Sequence, residues 1–354
     1  MKIVRLTTLL DYGGQERKYI SFTQDASMLN HEYYFAAIGH GGHAATTLQE
    51  KGFNVTIFNQ NVHITNLKNI WILYQWFKKI QPDVVHTAAA EANFHGIIAA
   101  RLAGVKVRIA EEIGFPSHSK KAQIIFRWVY KNCNKVICVS RAVKEFLIKI
   151  GEINSAKGTV IYNPVSTKKK FERTLSGEFT VVCVGRLEKV KNQQLLIKAF
   201  SQLENKESKL ILVGDGRERT NLEQLCVQLN CTEQIEFIGF SAEPEKYLAK
   251  AHLFVLPSLS EGFGIAVLEA MQQGLPCLCS NVGGIPEFLE ENKTGWLFNP
   301  TTEFELDQKL SVLSKLPKNE LEKMGKNAQT FIANRFSEKE YVTNLEQLYQ
   351  QLHD

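Results

Sequence analysis

G-x-G-x-x-G occurs nowhere in the 354 residues, so the nicotinamide-dinucleotide fingerprint is absent. No D-x-D pair occurs either, and the few Asp residues are scattered. That leaves no carboxylate pair of the usual kind for a divalent cation. The seven cysteines are odd in number, show no C-x-x-C spacing and mostly fall in apolar strand-like runs (Cys138, Cys183, Cys277, Cys279). They read as reduced packing residues of a cytosolic protein rather than a disulfide or zinc framework. No apolar run approaches the roughly 20 residues that span a bilayer. The opening MKIVRLTTLLDYGG has too short an apolar core for a secretion signal and reads as a first β-strand. Internal repeats and low-complexity tracts are also missing.

What is present suits a soluble enzyme of two domains, with 44% hydrophobic and 22% charged residues. The net charge of +5 hides an asymmetry. Residues 1–177 carry 24 Lys and Arg against 12 Asp and Glu, whereas residues 178–354 carry 18 against 25. A basic half either faces something anionic or is simply a solvated surface. Nothing in the pattern suggests a nucleic-acid partner.

Apolar strand-like runs alternate with amphipathic helical ones, which argues an α/β fold with parallel sheets. Strands are expected near 2–6, 34–38, 55–58, 84–87, 107–110, 136–139 and 160–162. After a polar, basic stretch (NPVSTKKKFERTLSGE) the series restarts near 181–184, 210–213, 235–238, 253–256 and 277–280. The expected division is a first Rossmann-like domain over 1–165, a linker over 166–178, a second Rossmann-like domain over 179–336 and a terminal helix over 337–354. Ligands of such sheets bind beyond the carboxyl ends of the strands, here in a cleft between the two domains.

The stretch PSLSEGFGIAVLE, Pro257 to Glu269, is the most informative. A strand ends at Pro257, turns through Gly262 and Gly264, and enters a helix. Such a turn offers free N–H groups at the positive end of the helix dipole, where phosphate binds. Glu261 and Glu269 flank it with carboxylates that suit hydroxyl groups. A phosphate cradle between two hydroxyl binders describes a nucleotide sugar. Upstream, VVCVGRLEKVKN places Arg186 and Lys191 just before another helix, a cation clamp for a diphosphate leaving group. Gly13 and Gly14 sit between the first strand and its helix, where small residues either permit close approach to an anion or only reverse the chain. His86 is expected at a strand's carboxyl end, among active-site groups, and His95 in a helix as a packing or surface residue. Backbone groups around Phe240 are placed to face a base.

SEGFGIAVLEAMQQGLPCLCSNVGGIPEF, with its E-x7-E spacing, together with the G-R-L … K pattern resembles the retaining glycosyltransferases of the large family-four group, and the likeness runs through both halves. The resemblance implies a GT-B fold whose last helix crosses back to the first domain. It implies that Glu261 contacts donor-sugar hydroxyls, Glu269 the ribose hydroxyls, and the N–H groups of Phe263, Gly264 and Ile265 the phosphates. Gly13 and Gly14 would approach the diphosphate, and the turn at Gly214 would lie near the nucleotide. In the loop lining the family's acceptor pocket, Glu111 or Glu112 stands where a His is common, so Glu112 or His118 is expected near the acceptor hydroxyl. The implied activity is retaining, metal-independent transfer from a nucleotide sugar (of the UDP class), with no further cofactor, to a glycan or lipid-linked acceptor of a bacterial surface polysaccharide. A nucleotide-sugar epimerase and a non-catalytic partner of another transferase are the rivals.

One further stretch, KKAQIIFRWVYK, reads as a basic amphipathic helix. Ile124, Ile125, Trp128 and Val129 can share a face flanked by Lys120, Lys121, Arg127 and Lys131. That face either packs on the sheet or rests on anionic headgroups at the cytoplasmic side of a membrane.

Overall fold

The computed structural model describes every residue except Tyr12, 166–170, 175–176, Glu303 and Asn334. Two compact units divide it: Met1–Pro164 with Glu338–Asp354, and Val165–Ser337.

The first unit holds strands β1 (Lys2–Thr7), β2 (Glu32–Ala37), β3 (Asn54–Ile57), β4 (Val84–Ala88), β5 (Val107–Glu112), β6 (Lys135–Cys138) and β7 (Gly158–Val160). Between them run α1 (Gly14–Phe22), α2 (His43–Glu50), α3 (Lys68–Ile80), α4 (Ala90–Ala103), α5 (Lys120–Lys131) and α6 (Arg141–Lys149). All pairings are parallel, in the order β3-β2-β1-β4-β5-β6-β7. Strands covered on both faces must be apolar on both, so Ile3 packs into one core and Val4 into the other.

In the second unit the strands are β8 (Thr180–Val184), β9 (Lys209–Val213), β10 (Ile235–Gly239), β11 (Leu253–Leu256), β12 (Cys277–Ser280) and β13 (Gly295–Phe298). Helices α7 (Gln193–Ser201), α8 (Arg219–Gln228), α9 (Glu245–Leu248), α10 (Ile265–Gln272), α11 (Glu305–Ser314) and α12 (Lys318–Ala333) belong to the same unit. The sheet is again parallel, in the order β10-β9-β8-β11-β12-β13. The chain adds strands outward from β8 in one direction, then returns to start β11 on its other side. The carboxyl ends of β8 and β11 therefore flank the switch point, where adjoining loops diverge and leave a crevice. Strand β13 was not among the expected ones, because GWLF is short and opens on glycine.

The last helix, α13 (Glu338–His353), lies in the first unit and buries Tyr341, Val342, Leu345 and Tyr349 in the core beneath α1 and β2. Part of the expected linker, 166–170 and 175–176, lies outside the described residues. Its neighbours Arg173 and Thr174 are bonded into the second unit, through the carbonyls of Gly274, Ala251 and Ala249. All seven cysteines are buried and free. Among the described residues no helix is long and apolar enough to cross a membrane.

Candidate active site

At the switch point of the second unit the loop after β8 meets the turn after β11. Leu259 N–H donates to the Val190 carbonyl at 2.8 Å, tying the two together. Lys191 then reaches Glu261, Nζ to Oε1 at 2.5 Å, with the side chains 20% and 10% exposed. Ser258 donates its hydroxyl to the same Oε1 at 2.7 Å. Lys191 and Glu261, read from sequence as separate phosphate and sugar groups, are thus one preassembled pair. Arg186 stands exposed on the same loop, and its guanidinium donates no hydrogen bond among the described residues.

The turn itself is rigid and leaves donors open. Gly264 caps α10 at φ 97°, ψ 51°, a left-handed conformation that a side chain disfavours. Beneath it Phe263 is 2% exposed and packs against Phe288 and Phe336, with ring centroids 5.2 and 5.8 Å away, so the turn cannot sag. The N–H groups of Gly264 and Ile265 donate to no acceptor among the described residues. Two unpaired donors at a helix tip can meet an anion such as phosphate, and Lys191 and Arg186 lie on the adjoining loop after β8. Gly262 and Glu269 are half-buried on either side, Glu269 one turn into α10.

Neighbouring strand ends close the rim. A Cβ on Gly214, at φ 141°, would overlap the Gly185 carbonyl, so the β8 and β9 turns touch backbone to backbone. Gly214 N–H donates to the Gly239 carbonyl at 2.8 Å, which places Phe240, 54% exposed, at the end of β10.

In the first unit Gly13 is the N-cap of α1 and Gly14 its first residue, with Glu16 in the first turn. Across that unit's own switch point, between β1 and β4, Thr8 donates to Glu91 at 3.1 Å. His118, in the loop before α5, keeps 12% side-chain exposure and donates from Nδ1 to Glu152 Oε1 at 2.7 Å. Its ring stacks on Phe126, 4.1 Å between centroids.

Two residues expected at the acceptor are not placed to meet one. His86 is mid-strand in β4 and fully buried, not at a strand end. Its Nδ1 lies 2.6 Å from the Tyr349 hydroxyl and its Nε2 lies 3.2 Å from Glu111. Burial first, and the charge of Arg5 next, lower its pKa to about 3, so it is a neutral core group. Glu112 is 4% exposed, and its Oε1 accepts from the Tyr130 hydroxyl and from Asn93. Burial pushes its carboxyl up to about 7 against the pull of those two donors. His95 is buried in α4, as a packing role requires. On α5, Val129 is buried with Phe126 and Tyr130, whereas Ile124, Ile125 and Trp128 are 64%, 40% and 49% exposed. The four therefore do not share one face.

Sequence reasoning missed Ser258 and Glu152. Ser258 had a local signal, since it precedes Glu261 by three residues in the same turn. Glu152 had none, because it lies 34 residues from His118.

Two Rossmann-like units with parallel sheets are the architecture of the GT-B glycosyltransferases. Residues 165–331 match the model for glycosyl transferases group 1 and residues 12–169 that for glycosyltransferase family 4, so the chain belongs to the family-four glycosyltransferases. An Escherichia coli relative, UDP-Gal:alpha-D-GlcNAc-diphosphoundecaprenol alpha-1,3-galactosyltransferase, is 29% identical over 325 residues, 84% of this chain and 83% of the relative. A Campylobacter jejuni N-acetylgalactosaminyltransferase named for a diphospho-undecaprenol acceptor is 27% identical over 251 residues, 67% of this chain and 68% of that one. Among solved structures, Anabaena HepE in complex with UDP and glucose superposes with a TM-score of 0.83 at 22% identity, covering 99% of both chains.

Proposed function

We propose that this enzyme moves a sugar from a UDP-sugar to a hydroxyl of a lipid-linked glycan, in the assembly of a bacterial surface polysaccharide, with retention and without a divalent cation. The observation that carries the reading is the group of donors at the second unit's switch point: Lys191, Arg186 and the open N–H groups of Gly264 and Ile265. Breaking the sugar–phosphate bond leaves negative charge on the phosphate oxygen. Fixed donors aimed at that oxygen stabilise it most in the transition state. They supply the positive charge that a metal ion would otherwise bring. The attacking hydroxyl passes its proton to the departing phosphate on the same face of the sugar, which retains configuration. Glu261 orients Lys191 and meets donor-sugar hydroxyls, while Glu269 takes the ribose hydroxyls.

The acceptor class is supported by the Escherichia coli and Campylobacter jejuni relatives, whose names specify diphosphate-linked undecaprenol acceptors. It is supported also by α5, whose exposed Ile124, Ile125 and Trp128 stand among exposed Lys120, Lys121, Arg127 and Lys131. Apolar side chains ringed by cations suit the anionic surface in which such an acceptor is embedded.

The test is UDP release and product formation with a panel of UDP-sugars and a short-chain lipid-diphosphate sugar, with and without EDTA. Transfer that persists in EDTA with the anomeric configuration kept is expected. Restoration by Mg or Mn of an activity lost in EDTA would remove the metal-free mechanism. Sedimentation with vesicles tests the surface. Binding to anionic vesicles is expected to weaken with salt and with Trp128→Glu, and equal recovery on neutral vesicles would remove the docking claim.

A further inference from the structure

The first unit contains a histidine–carboxylate pair for which nothing in the second unit's phosphate chemistry accounts. His118 sits in the loop after β5, on the connection that the acceptor side of the proposed reaction would use. Its main-chain carbonyl accepts from Gln123 at 3.1 Å and its ring lies flat on Phe126, interplanar angle 12°. The Nδ1 nitrogen donates to Glu152 at 2.7 Å. Glu152 comes from the turn after α6 and is 2% exposed, and its other oxygen, Oε2, is buried without a hydrogen-bond partner. The ring's second nitrogen, Nε2, bonds no protein group among the described residues and is not sealed from solvent. So the ring is fixed in plane, fixed in tautomer and open at one atom.

We infer that Glu152 is a positioning residue that holds the Nδ1 proton of His118 and so presents Nε2–H to an oxygen of the acceptor substrate. This rests on the proposed transfer to a hydroxyl acceptor. A buried carboxylate with one neutralising neighbour favours the charged form of that neighbour, because separating them leaves an unpaired charge out of water. Burial alone would lower the pKa of His118, but the hydrogen bond and charge of Glu152, with Glu112 and Glu91 facing the ring, raise it above the ordinary value. The imidazolium is thereby favoured over the neutral ring. It can donate to an acceptor oxygen, or to a phosphate of a lipid-diphosphate, without itself taking a proton from the reaction.

The experiment is an NMR titration of the histidine ring protons in the full-length wild type and in Glu152→Gln, with His118→Gln to assign the resonance. The pH profiles of kcat and KM are measured in parallel. Because an opposite charge at this range shifts a pKa by about 1 unit or more, His118 should titrate about that much lower in Glu152→Gln. Activity that needs the imidazolium falls with rising pH, so above both pKa values kcat should drop about tenfold while the donor KM stays put. Glu152→Asp should restore part of both. An unmoved titration in Glu152→Gln, or wild-type transfer by His118→Gln, overturns the inference. A titration that moves while the wild type transfers nothing to the acceptor supports the pairing and counts against the proposed function instead.

Discussion

Replacing Lys191 by Met separates the two tasks that its position allows. The substitution keeps the aliphatic stem and removes the ammonium that lies 2.5 Å from Glu261. If the ammonium stabilises the leaving phosphate, its loss costs on the order of 100-fold or more in kcat, about 2.7 kcal/mol or more of activation free energy. A second cost is structural. Glu261 would keep only the Ser258 hydroxyl in a site where its side chain is 10% exposed. Stranding a charged group in this way costs about 1–3 kcal/mol, and a domain of this size loses roughly 2–4 °C in Tm for each kcal/mol. The double variant Lys191→Met/Glu261→Gln distinguishes the tasks, since the neutral amide needs no ammonium. Its Tm should return toward the wild type while UDP release from the donor stays low. Recovery of activity together with Tm would mean that Lys191 only neutralises Glu261, and the diphosphate-clamp argument would fall. Thermal shift by UDP adds an independent reading, because a ligand of the folded form raises Tm. Lys191→Met should blunt that shift.

Three other outcomes follow from the geometry. Gly264→Ala forces a side chain into φ 97° with its Cβ 3.2 Å from Ile285, so differential scanning fluorimetry should show about 1–2 kcal/mol of lost stability and weaker UDP binding. Glu112 carries a carboxyl raised by burial to about 7, so the folded state holds its proton more tightly than the unfolded chain. Its contribution is full below the ordinary carboxylate range and is lost as pH rises toward 7. Glu112→Gln cannot titrate, so urea unfolding should find wild type losing on the order of 1–3 kcal/mol relative to the variant between pH 4.5 and 8, and parallel curves would contradict this. Tyr349→Phe leaves His86 Nδ1, now 2.6 Å from the tyrosine hydroxyl, buried without that partner, at a cost of about 1–3 kcal/mol. Hydrogen exchange in α13 should then rise, whereas unchanged protection would show that the apolar contacts hold the helix alone.

The sheets, and the turns that form the second unit's candidate site, were legible because their signals are local. A parallel strand covered on both faces is an unbroken apolar run, and the glycine or proline that ends it is adjacent in the chain. Gly185–Arg186, Gly214 and Gly262–Gly264 all punctuate strand ends in this way, and the structure sets them around one switch point. Tertiary contacts have no such local mark. His86 and Tyr349 are 263 residues apart, and no pattern near either announces the other.

The misreading of His86 shows what a polar residue in an apolar strand does and does not mean. Arg5, His86 and Glu111 interrupt three adjacent strands, and the register sets Arg5 beside His86 and Ile109, two residues before Glu111, beside His86 in turn. Glu111 receives Lys18 from α1 and Arg5 at 3.2 Å, while Tyr341 and Tyr349 of α13 approach the Arg5 guanidinium at 3.4 and 3.5 Å. Burial raises the Glu111 carboxyl, yet Lys18, His86 and Arg5 outweigh it and hold the group well below the usual range. A buried charge set whose members pair with one another in this way fastens the returning helix and leaves little for a substrate. In the second unit two main-chain N–H groups at the tip of α10 and the Arg186 guanidinium have no internal acceptor among the described residues. A ligand is the natural acceptor for donors that the fold itself leaves open, and the proposed phosphate site rests on that remainder more than on the presence of charged residues.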